Sequence, residues 1–176
     1  MSRKELVRKE LVRMLPASGD DLAAAMRIVE MGYPAVGPVM RDMVRWMRVA
    51  ESPVADAFAA FFGRLGEPAV DVIAEGLLRE NSELRHRIFC QVLPEWPPEV
   101  IGQLTNTLTM VATQPDAHDN DVRSVALLVK HLLADPEWLR GWVQFKEERL
   151  AVRNELLMQA KRELKNGQPA GEGEQG

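Results

Sequence analysis

Apolar positions along this chain recur at helical spacing, and one short block of them recurs at a fixed offset. Met31-Gly32-Tyr33-Pro34-Ala35-Val36 returns as Leu65-Gly66-Glu67-Pro68-Ala69-Val70. The offset from Gly32 to Gly66 is 34 residues, long enough for two short helices and their turns. One helix pair cannot bury its apolar face alone, so stacked copies share an elongated core. The pattern predicts an all-α chain, a short α-solenoid of helix hairpins followed by a long C-terminal helix.

The elements follow from spacing and punctuation. Leu6, Val7, Leu11, Val12 and Leu15 make the first segment an amphipathic helix that Pro16 ends. Ser18 or Asp20 is the expected cap of a second helix over about Asp21 to Met31, with Leu22, Met26 and Val29 inward and Gly32 as its stop. Pro34 or Pro38 opens a helix carrying Val39, Met43, Trp46 and Met47. Ser52-Pro53 reads as a cap followed by proline at the first helical position. The next helix, Val54 to Leu65, is apolar almost all round, which places it in the middle of a packed stack. Pro68 starts a helix with Val70, Ile73, Ala74, Leu77 and Leu78, and Ser82 caps its partner, with Leu84, Ile88, Phe89 and Val92 inward.

Pro94, Pro97 and Pro98 break the chain around Trp96. A more degenerate pair follows, one helix over about Glu99 to Ala112 and one from Asp119 to Ala134. Leu104, Leu108 and Val111 face inward in the first, and Val122, Val125, Ala126, Val129 and Leu133 in the second. Asp135-Pro136 begins the last helix, where Trp138, Leu139, Trp142 and Val143 form a dense apolar start. Val143, Leu150, Leu157 and Leu164 then recur every seven residues. A single helical-repeat domain is expected over 1–166, with core repeats over about 21–134 and the C-terminal helix over 136–165. The tail 167–176 has nothing to bury and reads as disordered.

The run Gly32-Tyr33-Pro34-Ala35-Val36, Trp46, Ser52-Pro53-Val54-Ala55, Leu65-Gly66 and Leu93-Pro94 resembles a bacterial family of unknown function with HEAT-like helical repeats. The resemblance covers roughly Ala23 to Leu133 and implies a HEAT-like superhelix without implying an activity. The chain departs from the family pattern where Glu51-Ser52 stands in place of an Asn-Trp turn.

Composition narrows the function classes. The chain has 176 residues, 46% apolar and 27% charged, which suits one globular core. A net charge of −4 weakens a general nucleic-acid reading, which usually needs a basic domain. Cys90 alone forms no internal disulfide and fits a reducing compartment. The start is charged throughout, and no apolar run is long enough to span a membrane, so a cytoplasmic protein is expected.

Several groupings invite a chemical reading. His86 and Cys90 share a helix face at metal-ligand spacing, but two ligands are too few, and the reading preferred is a buried cysteine beside a half-exposed histidine. Asp116, His118, Asp119 and Asp121 place oxygen donors at calcium-loop spacing without the required Gly and Glu, so Asp119 is read as a helix cap and Asp121 as a first-turn carboxylate. Arg41, Arg45 and Arg48 form a basic strip that would suit phosphate or an acidic partner, against a default of a solvated outer face. Trp46, Trp96, Trp138 and Trp142 either fill gaps between repeats or anchor a partner. No catalytic motif is recognisable, and no cofactor or metal is expected.

The favoured reading is a non-enzymatic protein-interaction module, whose second helices present Asp56, Glu83, Arg87, Gln91, Arg123 and Lys130 to another protein. One concrete version is an immunity or antitoxin-like protein that masks a partner. The alternatives are a nucleic-acid or phosphate binder using Arg41, Arg45 and Arg48, and an enzyme with an unrecognised carboxylate site. The last helix either caps the stack or pairs with a second copy to give a homodimer.

Overall fold

The computed structural model describes residues 2–79, 81–114 and 117–166. Among them every regular element is helical and no strand occurs. The expected tail, 167–176, lies outside the described residues, as does Asp116. The chain divides into two compact units, Met1–Leu133 and Ala134–Gly176.

The first unit contains α1 (Arg3–Met14), α2 (Leu22–Met31), α3 (Met40–Trp46), α4 (Pro53–Leu65), α5 (Val70–Arg79), α6 (Ser82–Arg87), α7 (Pro98–Gly102), α8 (Thr105–Ala112) and α9 (Asn120–Lys130). Its helices contact one another as two rows. In one row α1 packs on the 3-10 turn Gly37–Val39 that leads into α3, α3 packs on α5, and α5 on α8. In the other, α2 packs on α4, α4 on a π-helical turn (Ile88–Val92) that continues α6, and this segment on α9. The contacts α3–α4, α5–α6 and α8–α9 join the rows.

Helix α4 sits between the neighbours on both sides, as its all-round apolar sequence requires. Phe58 and Phe62 are 0% exposed, and Val54, Ala55 and Ala59 are buried with them. Each phenylalanine contributes about 1.5–3 kcal/mol relative to exposure. The helix starts at Pro53, where the missing N–H would have no helical partner. Ser52 caps it through Oγ, which accepts from the Ala55 N–H at 3.2 Å and donates to the Gly19 carbonyl at 2.8 Å. One buried hydroxyl thereby ties the α1–α2 loop to the start of α4. At the other end the Trp96 indole N–H donates to the Phe62 carbonyl at 3.0 Å. Gly63 admits this segment closely, since a Cβ there would lie 3.3 Å from the Gln91 carbonyl oxygen and 3.2 Å from Glu95 Cγ.

The two repeated blocks begin alike. Gly32 closes α2 at φ 64° and Gly66 closes α4 at φ 66°, a region that side chains disfavour. They then diverge. The second block enters α5 through one 3-10 turn, Glu67–Ala69. The first has a cis Tyr33–Pro34 bond, a turn through Val36 and then the Gly37–Val39 turn, so α3 starts later and is short.

Several inner faces differ from the spacing-based expectation. In α2 the buried residues are Ala24, Ala25 and Ile28, while Leu22 and Met26 are 41% and 42% exposed. Small alanines permit the close packing of α2 on α4, which a ranking by side-chain size misses. Among the described side chains of α1 only Leu11 is buried, and Leu6, Val7 and Val12 are exposed. The expected helix over Glu99 to Ala112 is two helices, broken at Gln103–Leu104, with Thr105 Oγ1 donating to the Gly102 carbonyl at 2.7 Å. The last helix of the unit ends at Lys130, and its buried face holds Asn120, Asp121, Ser124, Val125 and Leu128, with Val122 and Val129 outside. Asn120 Nδ2 donates to the Ser82 carbonyl at 3.0 Å and Ser124 Oγ to the Leu108 carbonyl at 2.6 Å. These polar contacts hold α9 where apolar ones were expected. The caps shift by a residue too: Asp21 caps α2 and Asn81 caps α6.

The second unit contains α10 (Pro136–Asn166), a helix of 31 residues. Its start is the expected cap plus proline, with Asp135 Oδ1 accepting from the Trp138 N–H at 2.8 Å. No described helix is long and apolar enough to cross a membrane.

Gly66→Ala is expected to cost about 1–3 kcal/mol, because its φ is unfavourable for any side chain although the space is open. Gly102→Ala, also in open space but at ordinary φ, is expected to be neutral or to stabilise by up to about 1 kcal/mol. Urea denaturation midpoints of the two variants check the contrast, and equal losses would contradict it.

Candidate functional site

The sequence-selected residues of the second row gather on α6 and its π-helical continuation. Glu83, His86, Arg87, Cys90 and Gln91 follow one another along this segment, with α4 on one side and the turn before α9 on the other. Ile88, Phe89 and Val92 take the inner positions.

Arg87 is the centre of a small network. It is 8% exposed and reaches across two elements. Nη1 donates to Asp56 Oδ1 of α4 and, at 3.4 Å, to Gln91 Oε1, and Nη2 donates to the Val49 carbonyl at 3.1 Å. Nε, also buried, has no hydrogen-bond partner. Three of the six selected residues, Asp56, Arg87 and Gln91, are thus brought together, and Arg87 is a buried strut rather than an exposed contact. The physical reason is its set of partners: the guanidinium reaches inward from α6 to Asp56 on α4 and to the Val49 carbonyl in the loop after α3.

A second group lies alongside. His118 Nε2 meets Glu83 Oε2 at 3.0 Å, and the His118 ring stacks on His86 with centroids 4.8 Å apart. Cys90 Sγ lies 3.7 Å and 3.8 Å from the two His86 ring nitrogens. Cys90 is exposed, contrary to the expected buried thiol. It falls opposite Leu84, Ile88 and Val92, so the helix turns it to solvent. Among the described residues no group of three or more His, Cys, Asp and Glu side chains is arranged to hold a metal ion. Arg123 Nε approaches the His118 carbonyl at 3.5 Å, and Lys130 is exposed at the end of α9. Asp119 holds the cap position at φ 53° without a side-chain cap bond, so its expected capping role is not played, whereas Asp121 does occupy the first turn, 1% exposed.

The arginine strip lies in the other row. Arg41 Nε pairs with Glu75 at 2.8 Å, and Arg45 Nη1 lies 3.7 Å from Asp42. Arg48 lies beyond α3, in the turn that follows it, so the three do not share one helix. Two residues missed by sequence reasoning join Arg41. Arg8 and Tyr33 line a cavity of about 630 Å³ with it. One signal was available: Tyr33 occupies the repeat position where the second block has Glu67, so packing does not demand a ring there.

Asp56→Ala leaves a buried guanidinium without its counter-charge and is expected to cost about 1–3 kcal/mol. Glu83→Ala breaks a pair that is 37% exposed on both sides and is expected to cost about 0–1 kcal/mol. Denaturation of both variants checks this order, and a reversed order would contradict the strut.

No curated protein and no solved structure matches the chain. A family model described as a domain of unknown function (DUF5071) matches residues 14–133. The match begins at the end of α1 and stops where the first compact unit stops. The match thus takes in the first unit from α2 to α9, and the chain belongs to the DUF5071 family.

Proposed function

We propose that this chain is a non-enzymatic protein-interaction module built as a short HEAT-like α-solenoid. Support for the architecture comes from the neighbour relations within the first unit, where each row is contacted in chain order and successive pairs are joined across rows. The paired glycines Gly32 and Gly66 at matching φ support a common ancestry of two of the pairs.

The observation that carries the interaction reading is the surface of α10. Val143, Phe145, Leu150, Val152, Leu156, Leu157 and Met158 are between 42% and 61% exposed along one helix. They form two opposite apolar sides, Val143, Leu150, Leu157 and Met158 on one and Phe145, Val152 and Leu156 on the other, and apolar faces left to water mark interaction sites. The basic side chains add to it: Lys146 Nζ lies 5.3 Å from the Trp142 ring and Arg149 lies 5.6 Å from that of Phe145. Aromatic and arginine side chains side by side are the composition of protein–protein interfaces. An immunity or antitoxin-like role is the concrete version in which the partner is a protein that must be masked. The phosphate reading has less support, because Arg48 lies in the turn beyond α3 and the three arginines do not form one strip.

Affinity capture from a native lysate tests the reading with two baits, the wild type and Leu150→Glu/Leu157→Glu. Both leucines are exposed, so each change is expected to move stability by about 0.5 kcal/mol or less. The expected result is a defined partner protein retained by the wild type and lost from the variant. Identical captures, or nothing above background, would contradict it.

A further inference from the structure

A groove runs along the row that begins with α1. Three neighbouring cavities compose it, each sharing lining residues with the next. The first, about 720 Å³, has apolar walls that include Val7, Pro38 and the stem of Arg8. The second, about 630 Å³, shares Arg8 and Pro38 with the first and adds Tyr33, Arg41 and Asp71. The third, about 110 Å³, shares Arg41 with the second and adds Arg45, Glu75 and Arg79. The groove is thus apolar at one end and rich in guanidinium groups at the other.

The polar groups in its middle are under-used. Arg8 meets Asp42 through Nη2 alone, and Arg41 meets Glu75 through Nε alone. The terminal nitrogens of Arg41 keep their N–H groups for another acceptor, and its side chain is 74% exposed. The Tyr33 side chain stands beside them, 53% exposed, with no hydrogen bond to its hydroxyl among the described residues. Guanidinium groups with spare N–H donors suit a carboxylate, which two parallel bonds can hold. A neighbouring apolar channel suits a side chain of the same ligand. The first two cavities, about 720 Å³ and 630 Å³, each exceed what one small anion would fill.

We propose that this groove binds an extended peptide segment of a partner protein, with apolar residues at the Val7–Pro38 end and acidic side chains on Arg8 and Arg41 beside Tyr33. The inference rests on the interaction reading above and gives it a specificity: a segment in which apolar residues adjoin acidic ones. Such a segment is recognised through side-chain pockets in an open cleft, with complementarity of charge setting its direction.

Selection of random peptides displayed on phage, against the full chain, tests this without knowledge of the partner. The expected outcome is enrichment of sequences in which a group of apolar residues adjoins aspartate or glutamate. Synthetic copies of the enriched peptides should bind Arg8→Gln/Arg41→Gln about tenfold more weakly or worse. They should bind Arg27→Gln, an exposed arginine on α2, as they bind the wild type. Both groove arginines are exposed, and circular dichroism of the variant confirms that it folds. Enriched peptides without acidic residues, no enrichment, or equal binding to the double variant would each overturn the groove. Should the α10 variant lose its captured partner while no peptide is enriched here, the interaction module stands and the groove alone is removed.

Discussion

The burial of α4 is the constraint on which the first unit depends. Helix α4 carries Val54, Phe58, Phe61 and Phe62 with small residues between them, leaves a narrow line of Asp56, Ala60 and Arg64 to water, and so must be packed on its other sides. Its neighbours are set by that need: α2 on one side, α3 on another, and the π-helical segment after α6 on a third. Polar contacts then lock its two ends, through Ser52 to the Gly19 carbonyl and through the Trp96 indole to the Phe62 carbonyl. With α4 fixed, Arg87 has a place to reach, since Asp56 and Val49 flank the start of that helix.

The parts of the fold that follow from hard local rules were legible. Gly32 and Gly66 mark positions of positive φ, and Ser52-Pro53 and Asp135-Pro136 mark helix starts. What escaped the pattern depends on tertiary contact. Ala24 and Ala25 carry the α2 interface because they are small, and Leu22 and Met26 are left outside for the same reason. Asn120 and Ser124 are buried because Ser82 and Leu108 offer them carbonyls from distant stretches of chain, which hydrophobic spacing cannot register. The split at Gln103–Leu104 and the π-helical turn at Ile88–Val92 likewise have no periodic signature.

The candidate sites divide along the same line. Asp56, Arg87 and Gln91 were chosen as exposed residues on second helices, and the structure brings them together by burying the arginine. The second row is therefore a structural seam with a polar rim around His86, His118 and Cys90. The first row, chosen only for its arginines, holds a cavity of about 630 Å³ lined by residues of α1, of the turn through Tyr33 to Pro38 and of α5. Tyr33 and Arg8 belong to different elements, and nothing in the spacing of either predicts that they line one cleft.

Hydrogen exchange read by mass spectrometry tests the central claim most directly. If α4 is the element around which the unit is organised, the amides of 55–65 exchange only through global unfolding, with the slowest rates in the chain. The amides of α1, where Leu11 is the one buried residue among the described side chains, exchange far earlier. Exchange of α4 as fast as that of α1 would contradict the account.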